Sequence, residues 1–214
     1  MYFEYGNEEI EYLSRRDKRL GEAISRIGHI ERETDTDLFA SIIHHIIGQQ
    51  ISTAAQRTIW GRLTETVGTV NADSIIALGR DGIQCIGTTF KKADYILDFA
   101  CQVQAGTIKI DGLEALPDAE VIRELSSIKG IGVWTAEMLM TFCLQRPDIV
   151  SFGDLAILRG MRMLYRHREI DKARFERYRK RYSPYGTVAS LYLWAIAGGA
   201  LPELTDPAKK GAKR

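Results

Sequence analysis

The chain has 214 residues, 45% of them hydrophobic and 27% charged, which places it among ordinary folded proteins of one domain or two closely packed lobes. Its 29 Lys and Arg against 28 Asp and Glu leave a net charge of +1, which neither suggests nor excludes a nucleic-acid partner. No apolar run approaches the ~20 residues of a membrane span, and the start, MYFEYGNEEIEYL, lacks the basic-then-apolar pattern of an export signal. The expectation is therefore a cytoplasmic or nucleoid protein with no membrane partner.

From the N-terminus onward, apolar residues recur at spacings of three and four, without the sustained alternation of half-buried strands, so the fold class is all-α. Helices are expected over 7–27, 36–48, 52–67, 72–79, 90–105, 118–127, 132–144, 154–165, 171–182 and 186–198, with short connections. Asp35 or Thr36 is expected to cap the second helix. Asp118 follows Pro117 at a helix start, and Pro184 precedes a last helix led by Gly186. Residues 1–200 read as one compact helical unit of two lobes, and 202–214 (PELTDPAKKGAKR) as a mobile basic tail.

Cys85, Cys101 and Cys143 show no zinc or disulfide spacing and are expected to be buried thiols. Adjacent His44 and His45 would point about 100° apart on a helix, which suits packing or surface positions better than a shared metal. Between Arg159 and Arg181 ten basic residues face three acidic ones, a local excess suited to a phosphate backbone or to a solvated helix face.

The most informative segment is Leu125–Glu137, LSSIKGIGVWTAE, two helical stretches joined by Lys129-Gly130-Ile131-Gly132. Two glycines around an apolar residue make a tight hairpin: both permit angles closed to other residues and leave no side chain to block a ligand, and Ile131 is expected to plug the turn. Amides at the start of the following helix would then face a phosphate. Twenty-two residues beyond Gly132, Asp154 opens the segment DLAILRG after the loop QRPDIVSFG. By itself Asp154 reads as a helix N-cap.

The hairpin, the Gly/Pro-containing loop and the aspartate at this spacing resemble the helix-hairpin-helix (HhH-GPD) superfamily of base-excision DNA glycosylases. The resemblance extends to IIGQQIS (46–52), to GTTFKKA (87–93) and to YSPYGTVASLYLW (182–194), so that it spans roughly residues 36–198. It implies two packed helical lobes with the active-site cleft between them, acting as a monomer on damaged double-stranded DNA. Trp134 stands where bifunctional members carry a lysine nucleophile. Nothing after Cys143 is cysteine, so no iron–sulfur cluster is expected. What remains resembles the 3-methyladenine DNA glycosylase II group: monofunctional, requiring no cofactor, releasing alkylated purines and leaving an abasic site.

On this resemblance Asp154 is the catalytic candidate. Trp134, Trp194 and Tyr192 are candidates for the base pocket, and Gln50 for the wedge that replaces an extruded nucleotide. The candidate DNA-binding set is Gln49, Gln50, Ser52, Lys91, Lys92, Lys129, Gly130, Ile131, Gly132, Val133 and Thr135. Backbone carbonyls of Ser126, Ile128 and Ile131 are implied to hold a structural Na+ or K+. Gly153 and Gly186 depart from the family pattern, where an acidic and a basic residue are common. The alternatives are a glycosylase for another lesion on the same fold, or an inert hairpin module that only clamps DNA.

Overall fold

A computed structural model describes residues 1–208; among them are eleven α-helices and no strand, only an isolated antiparallel bridge between Tyr2 and Glu33. The chain divides into two compact units, Asp35–Leu144 and a second made of Met1–Thr34 with the residues from Gln145 onward. None of the described helices is long and apolar enough to cross a membrane.

The Asp35–Leu144 unit contains α3 (Leu38–Gly48), α4 (Thr53–Val67), α5 (Ala72–Cys85), α6 (Phe90–Gln104), a 3-10 turn at Leu113–Ala115, α7 (Asp118–Ser127) and α8 (Val133–Phe142). Four of these helices start on a polar side chain that accepts an early amide: Asp37, Ser52, Asn71 and Thr89 receive Ala40, Ala55, Ser74 and Lys92 respectively. Asp37, not Asp35 or Thr36, is thus the cap of α3. Asp35 instead accepts the Asp37 amide and the Ser41 hydroxyl. Gly79 breaks the helical geometry of α5 at φ +67, where the sequence pattern ends, but the chain resumes its helix to Cys85. Ile42, Ile43, Ile46 and Ile47 of α3 are wholly buried, and Phe39 stacks on Phe99 of α6 at 5.0 Å. Each such burial contributes about 1.5–3 kcal/mol.

The other unit contains α1 (Asn7–Arg16), α2 (Lys18–Ile27), α9 (Leu155–Tyr165), α10 (Lys172–Tyr182) and α11 (Gly186–Ala197). The single helix expected over 7–27 is two, because Asp17 turns extended at φ −144 and its carboxylate caps α2 through the Leu20 amide at 3.1 Å. Helix α11 forms the centre, buried from Gly186 through Leu193. Helix α9 crosses it so closely that a Cβ on Gly160 would collide with the Leu193 carbonyl.

The segment expected to be a mobile tail from residue 202 begins with contacts: just after buried Leu201, Glu203 pairs with Arg26, and Arg162 grips both oxygens of Asp206. Lys209, Lys210 and the rest of the expected tail lie outside the described residues.

Candidate nucleic-acid interface and active site

The hairpin closes where the Ile131 amide donates to the Ile128 carbonyl at 2.9 Å, with the Ile131 side chain buried as expected. Gly130 needs to be glycine: its φ is +90, and a Cβ there would lie 2.7 Å from the Tyr95 ring. Gly132 does not, since its φ of −92 suits any residue and an added Cβ would meet nothing within 4 Å. Of the two glycines only Gly130 uses the freedom that both permit. Gly132 is the N-cap of α8 and offers no capping side chain, while Val133 is 55% and Trp134 45% exposed in the first turn. A helix start of this kind directs amide hydrogens and the positive end of the dipole outward. Thr135, one residue further, is buried.

Several expected DNA-binding side chains turn inward. The Gln49 amide donates to the Gly130 carbonyl, and the Lys92 ammonium donates to the carbonyls of Ile47 at 2.8 Å and Gln49 at 2.7 Å. Burial holds the Lys92 amine below its usual pKa. Both are corrected to internal braces: Gln49 ties the end of α3 to the hairpin, and Lys92 ties it to α6. Gln50 is exposed and holds a left-handed backbone at φ +58, a costly conformation for a residue other than glycine. Ser52 caps α4 through the Ala55 amide. Lys91 lies 5.8 Å from the centre of the Tyr95 ring, and the exposed Lys129 ammonium is 3.3 Å from Asp98. Ser126 has a buried hydroxyl oxygen with no hydrogen-bond partner.

His44 packs edge-on against Trp60 at 4.9 Å, in keeping with the packing reading. Cys143 is buried, but Cys85 and Cys101 are exposed, a correction: both sit on helix faces that remain in solvent. Among the described residues no cluster of three His, Cys, Asp or Glu is arranged to hold a metal.

Asp154 is the N-cap of α9. One carboxylate oxygen accepts the amides of Ala156 and Ile157, both at 2.9 Å, and the residue is only 7% exposed. Cap and candidate site thus coincide: the amides fix the carboxylate without a flexible linker. Leu155 beside it is 80% exposed.

The loop leading to Asp154 is pinned to α11 by a residue that sequence reading did not single out. Asp148 accepts the Ser183 hydroxyl at 2.6 Å and the Gly186 amide at 3.1 Å, and its carbonyl accepts Arg179 at 3.4 Å. Ile149 adds a bond from its amide to the Thr187 hydroxyl at 3.0 Å. The departure at Gly186 has a physical reason, because a Cβ there would sit 2.6 Å from Asp148 Oδ1 and 2.7 Å from Val150. Gly153 is exposed.

Trp194 is half-buried on α11. Tyr192 is wholly enclosed, its hydroxyl donating to the Gly28 carbonyl at 3.1 Å and lying 3.2 Å from Tyr5 Oη, so it is corrected from a presented ring to a core strut. Part of the basic excess between Arg159 and Arg181 is consumed internally, in Arg162–Asp206, Arg181–Asp17 and Lys172–Glu176 pairs.

An all-helical chain with a glycine hairpin opening one helix and a buried carboxylate capping another defines a helix-hairpin-helix protein. The sequence profile of the HhH-GPD superfamily of base excision DNA repair proteins matches residues 43–184, and the chain belongs to that family. It is similar to the crystal structure of a DNA-3-methyladenine glycosidase from Bacillus halodurans, with 34% identity, a TM-score of 0.86 and 95% of each chain covered. It is also similar to the Schizosaccharomyces pombe 3-methyladenine DNA glycosylase Mag1 solved with abasic DNA, at 25% identity and a TM-score of 0.77, over 93% of this chain and 100% of that one. A Bacillus subtilis relative, YfjP, named as a DNA-3-methyladenine glycosylase, is 25% identical over 75% of this chain, which spans 59% of that relative's length.

Proposed function

We propose that this protein is a monofunctional DNA glycosylase of base excision repair that hydrolyses the N-glycosidic bond of alkylated purines such as 3-methyladenine and leaves an abasic site. The observation that carries the reading is Asp154, a buried carboxylate held by two amides at 2.9 Å at the start of α9. The names of the relatives from Bacillus halodurans and Schizosaccharomyces pombe support the substrate class.

The chemistry asks little of the protein. An N-alkylated purine carries a ring charge and departs with the C1′–N electron pair, which neutralises it. The sugar gains oxocarbenium character as that bond stretches, and a fixed carboxylate stabilises it. Water then bonds to C1′ and loses a proton. Trp134 occupies the position where a lysine would form a Schiff base, so strand cleavage is not part of the reaction.

Binding is assigned to the open start of α8. Amides of Gly130, Gly132 and Val133 take a DNA phosphate, with Lys129 supplying charge, while the Ile131 amide stays within the hairpin. Carbonyls of Ser126, Ile128 and Ile131 would hold a Na+ or K+ whose charge adds to the attraction; the buried, unpartnered Ser126 hydroxyl beside them fits such an ion. Gln50, exposed and in a left-handed conformation, is the wedge. Trp134 and Trp194 offer rings to a cationic base. The protein acts as a monomer on double-stranded DNA in the cytoplasm or nucleoid and needs no iron–sulfur cluster.

The test is release of 3-methyladenine and 7-methylguanine from methylated duplex by wild type and by Asp154→Asn. Release should fall at least about a thousandfold while duplex affinity stays within about threefold, the pattern of a group acting only in the transition state. Equal loss of affinity and release would remove Asp154 from its role. Tight binding without release by wild type would favour another lesion or an inert clamp.

A further inference from the structure

A recess lies within the unit built from α1, α2, α9, α10 and α11. It has a volume of about 400 Å³, and its lining includes Arg16, Lys18, Arg19, Arg181, His167 and Tyr178. Its single acidic residue is turned away from the opening. Asp17 is only 5% exposed, and its oxygens are occupied by the Leu20 amide at 3.1 Å, the Tyr165 hydroxyl at 2.9 Å and Arg181 at 3.0 Å. Among the described residues Arg16, Lys18 and Arg19 have no carboxylate within ion-pair distance; Arg181 alone of the four is matched. Four cations thus surround one carboxylate that is already spent inside the fold.

The floor is rigid. Tyr165 stacks on Tyr178 at 3.8 Å, and Tyr178 Oη lies 2.7 Å from His167 Nε2. Arg19 is oriented by a bond to the Tyr165 carbonyl at 3.1 Å, which leaves the rest of its guanidinium facing out. Burial lowers the His167 pKa, and Arg174, Arg19 and Arg177 lower it further against a raising effect from Asp171, so the field here is positive. A concave surface lined by one sign of charge concentrates counter-ions. Two unpaired guanidiniums, Arg16 and Arg19, with the Asp17-paired Arg181, an amine and an imidazole around a recess suit the oxygens of a phosphoryl group, which guanidinium forks engage in pairs.

We propose that this recess is a phosphoryl-binding site separate from Asp154 and from the hairpin, taking either a backbone phosphate of nucleic acid or a soluble phosphate ester. Arg16, Lys18 and Arg19 supply charge and donors, and His167 supplies a ring nitrogen. Nothing in base release requires it, so its occupancy is independent of the reaction proposed above.

The experiment uses the full chain and the Lys18→Gln/Arg19→Gln double variant; both side chains are exposed, and unchanged melting confirms the fold. Inorganic pyrophosphate is titrated by calorimetry and by NMR of the histidine rings. The expected result is saturable binding that moves the His167 resonances and leaves His44 and His45 in place, weakened at least about tenfold in the variant. In parallel, affinity for undamaged duplex is measured against salt. A slope lowered by about one to two in the variant assigns the site to backbone phosphate, and an unchanged slope with lost pyrophosphate binding assigns it to a soluble ester. No His167 response together with an unchanged salt slope overturns the proposal, as does pyrophosphate binding that survives in the variant. Base release by wild type is read separately, so failure here leaves the glycosylase reading intact and the converse holds as well.

Discussion

Helices α8 and α11 are both largely apolar, and neither begins on a capping side chain. Their starts are nonetheless opposite. At α11 the Gly186 amide is taken by Asp148 and the Thr187 amide by the Pro147 carbonyl at 2.9 Å, and every residue of the first two turns is buried. At α8 the cap is Gly132 with open space where a side chain would be, and the first two residues are about half exposed. A fold left to itself closes a helix start, as it does at α11. The open start with exposed apolar residues suits the phosphate site proposed for it, since the dipole there favours an anion. Asp154 shows the intermediate case, a start closed by the buried carboxylate to which the proposed reaction is assigned.

The comparison predicts where damage is structural. Asp148→Ala removes the acceptor of the Ser183 hydroxyl and the Gly186 amide. Losing charge-assisted bonds to partners that stay buried should cost about 3 kcal/mol in denaturant unfolding. Duplex affinity of the folded fraction, and its salt slope, should be unchanged. A variant as stable as wild type would mean that α11 needs no closure and that the contrast with α8 is empty.

Much of this was legible in the sequence for a reason that also marks its limits. Periodicity and capping are local, and they located ten helical segments; α7 coincides with its expected span of 118–127, and Asp154 is the N-cap that its place before an apolar helix suggests. The break at Asp17 was missed because apolar spacing continues in register across it, and the partners that justify it, buried Tyr165 and part-exposed Arg181, are 148 and 164 residues away. Gln49 and Lys92 looked like groove-reaching side chains. Lys92 is a brace because carbonyls left over at the end of α3 need donors and it donates to two of them from α6, more than forty residues on; Gln49 instead donates to the Gly130 carbonyl of the hairpin. Asp148 carried no signal beyond being polar in a loop.

Acidity sharpens the contrast from the side of the open start. Burial lowers the His45 pKa to about 4, with a further push from His44, on helix α3 of the unit that carries the hairpin. The folded value is below the unfolded one near 6.5, so the stabilisation is fully present above pH 6.5 and is lost as pH falls toward 4. With His45 half-buried, about 2 kcal/mol should disappear by pH 4.5. His45→Gln should flatten the pH dependence of unfolding in this window; an unaltered acid limb would place the sensitivity elsewhere.

The finest test converts one start into the other. Gly132 has a φ of −92, and a Cβ there would meet open space, so Gly132→Asp fits without strain. Its carboxylate would reach the second and third amides of α8 as Asp154 reaches those of α9, which should raise stability by about 1 kcal/mol. The same carboxylate occupies the place assigned to a phosphate and repels it, so duplex affinity should drop by about tenfold or more. Stability and binding moving in opposite directions would be the signature of a helix start kept open for a ligand. A gain in stability with undiminished affinity would show that the phosphate is held elsewhere, and Lys129 and Gln50 would then have to be reassigned with it.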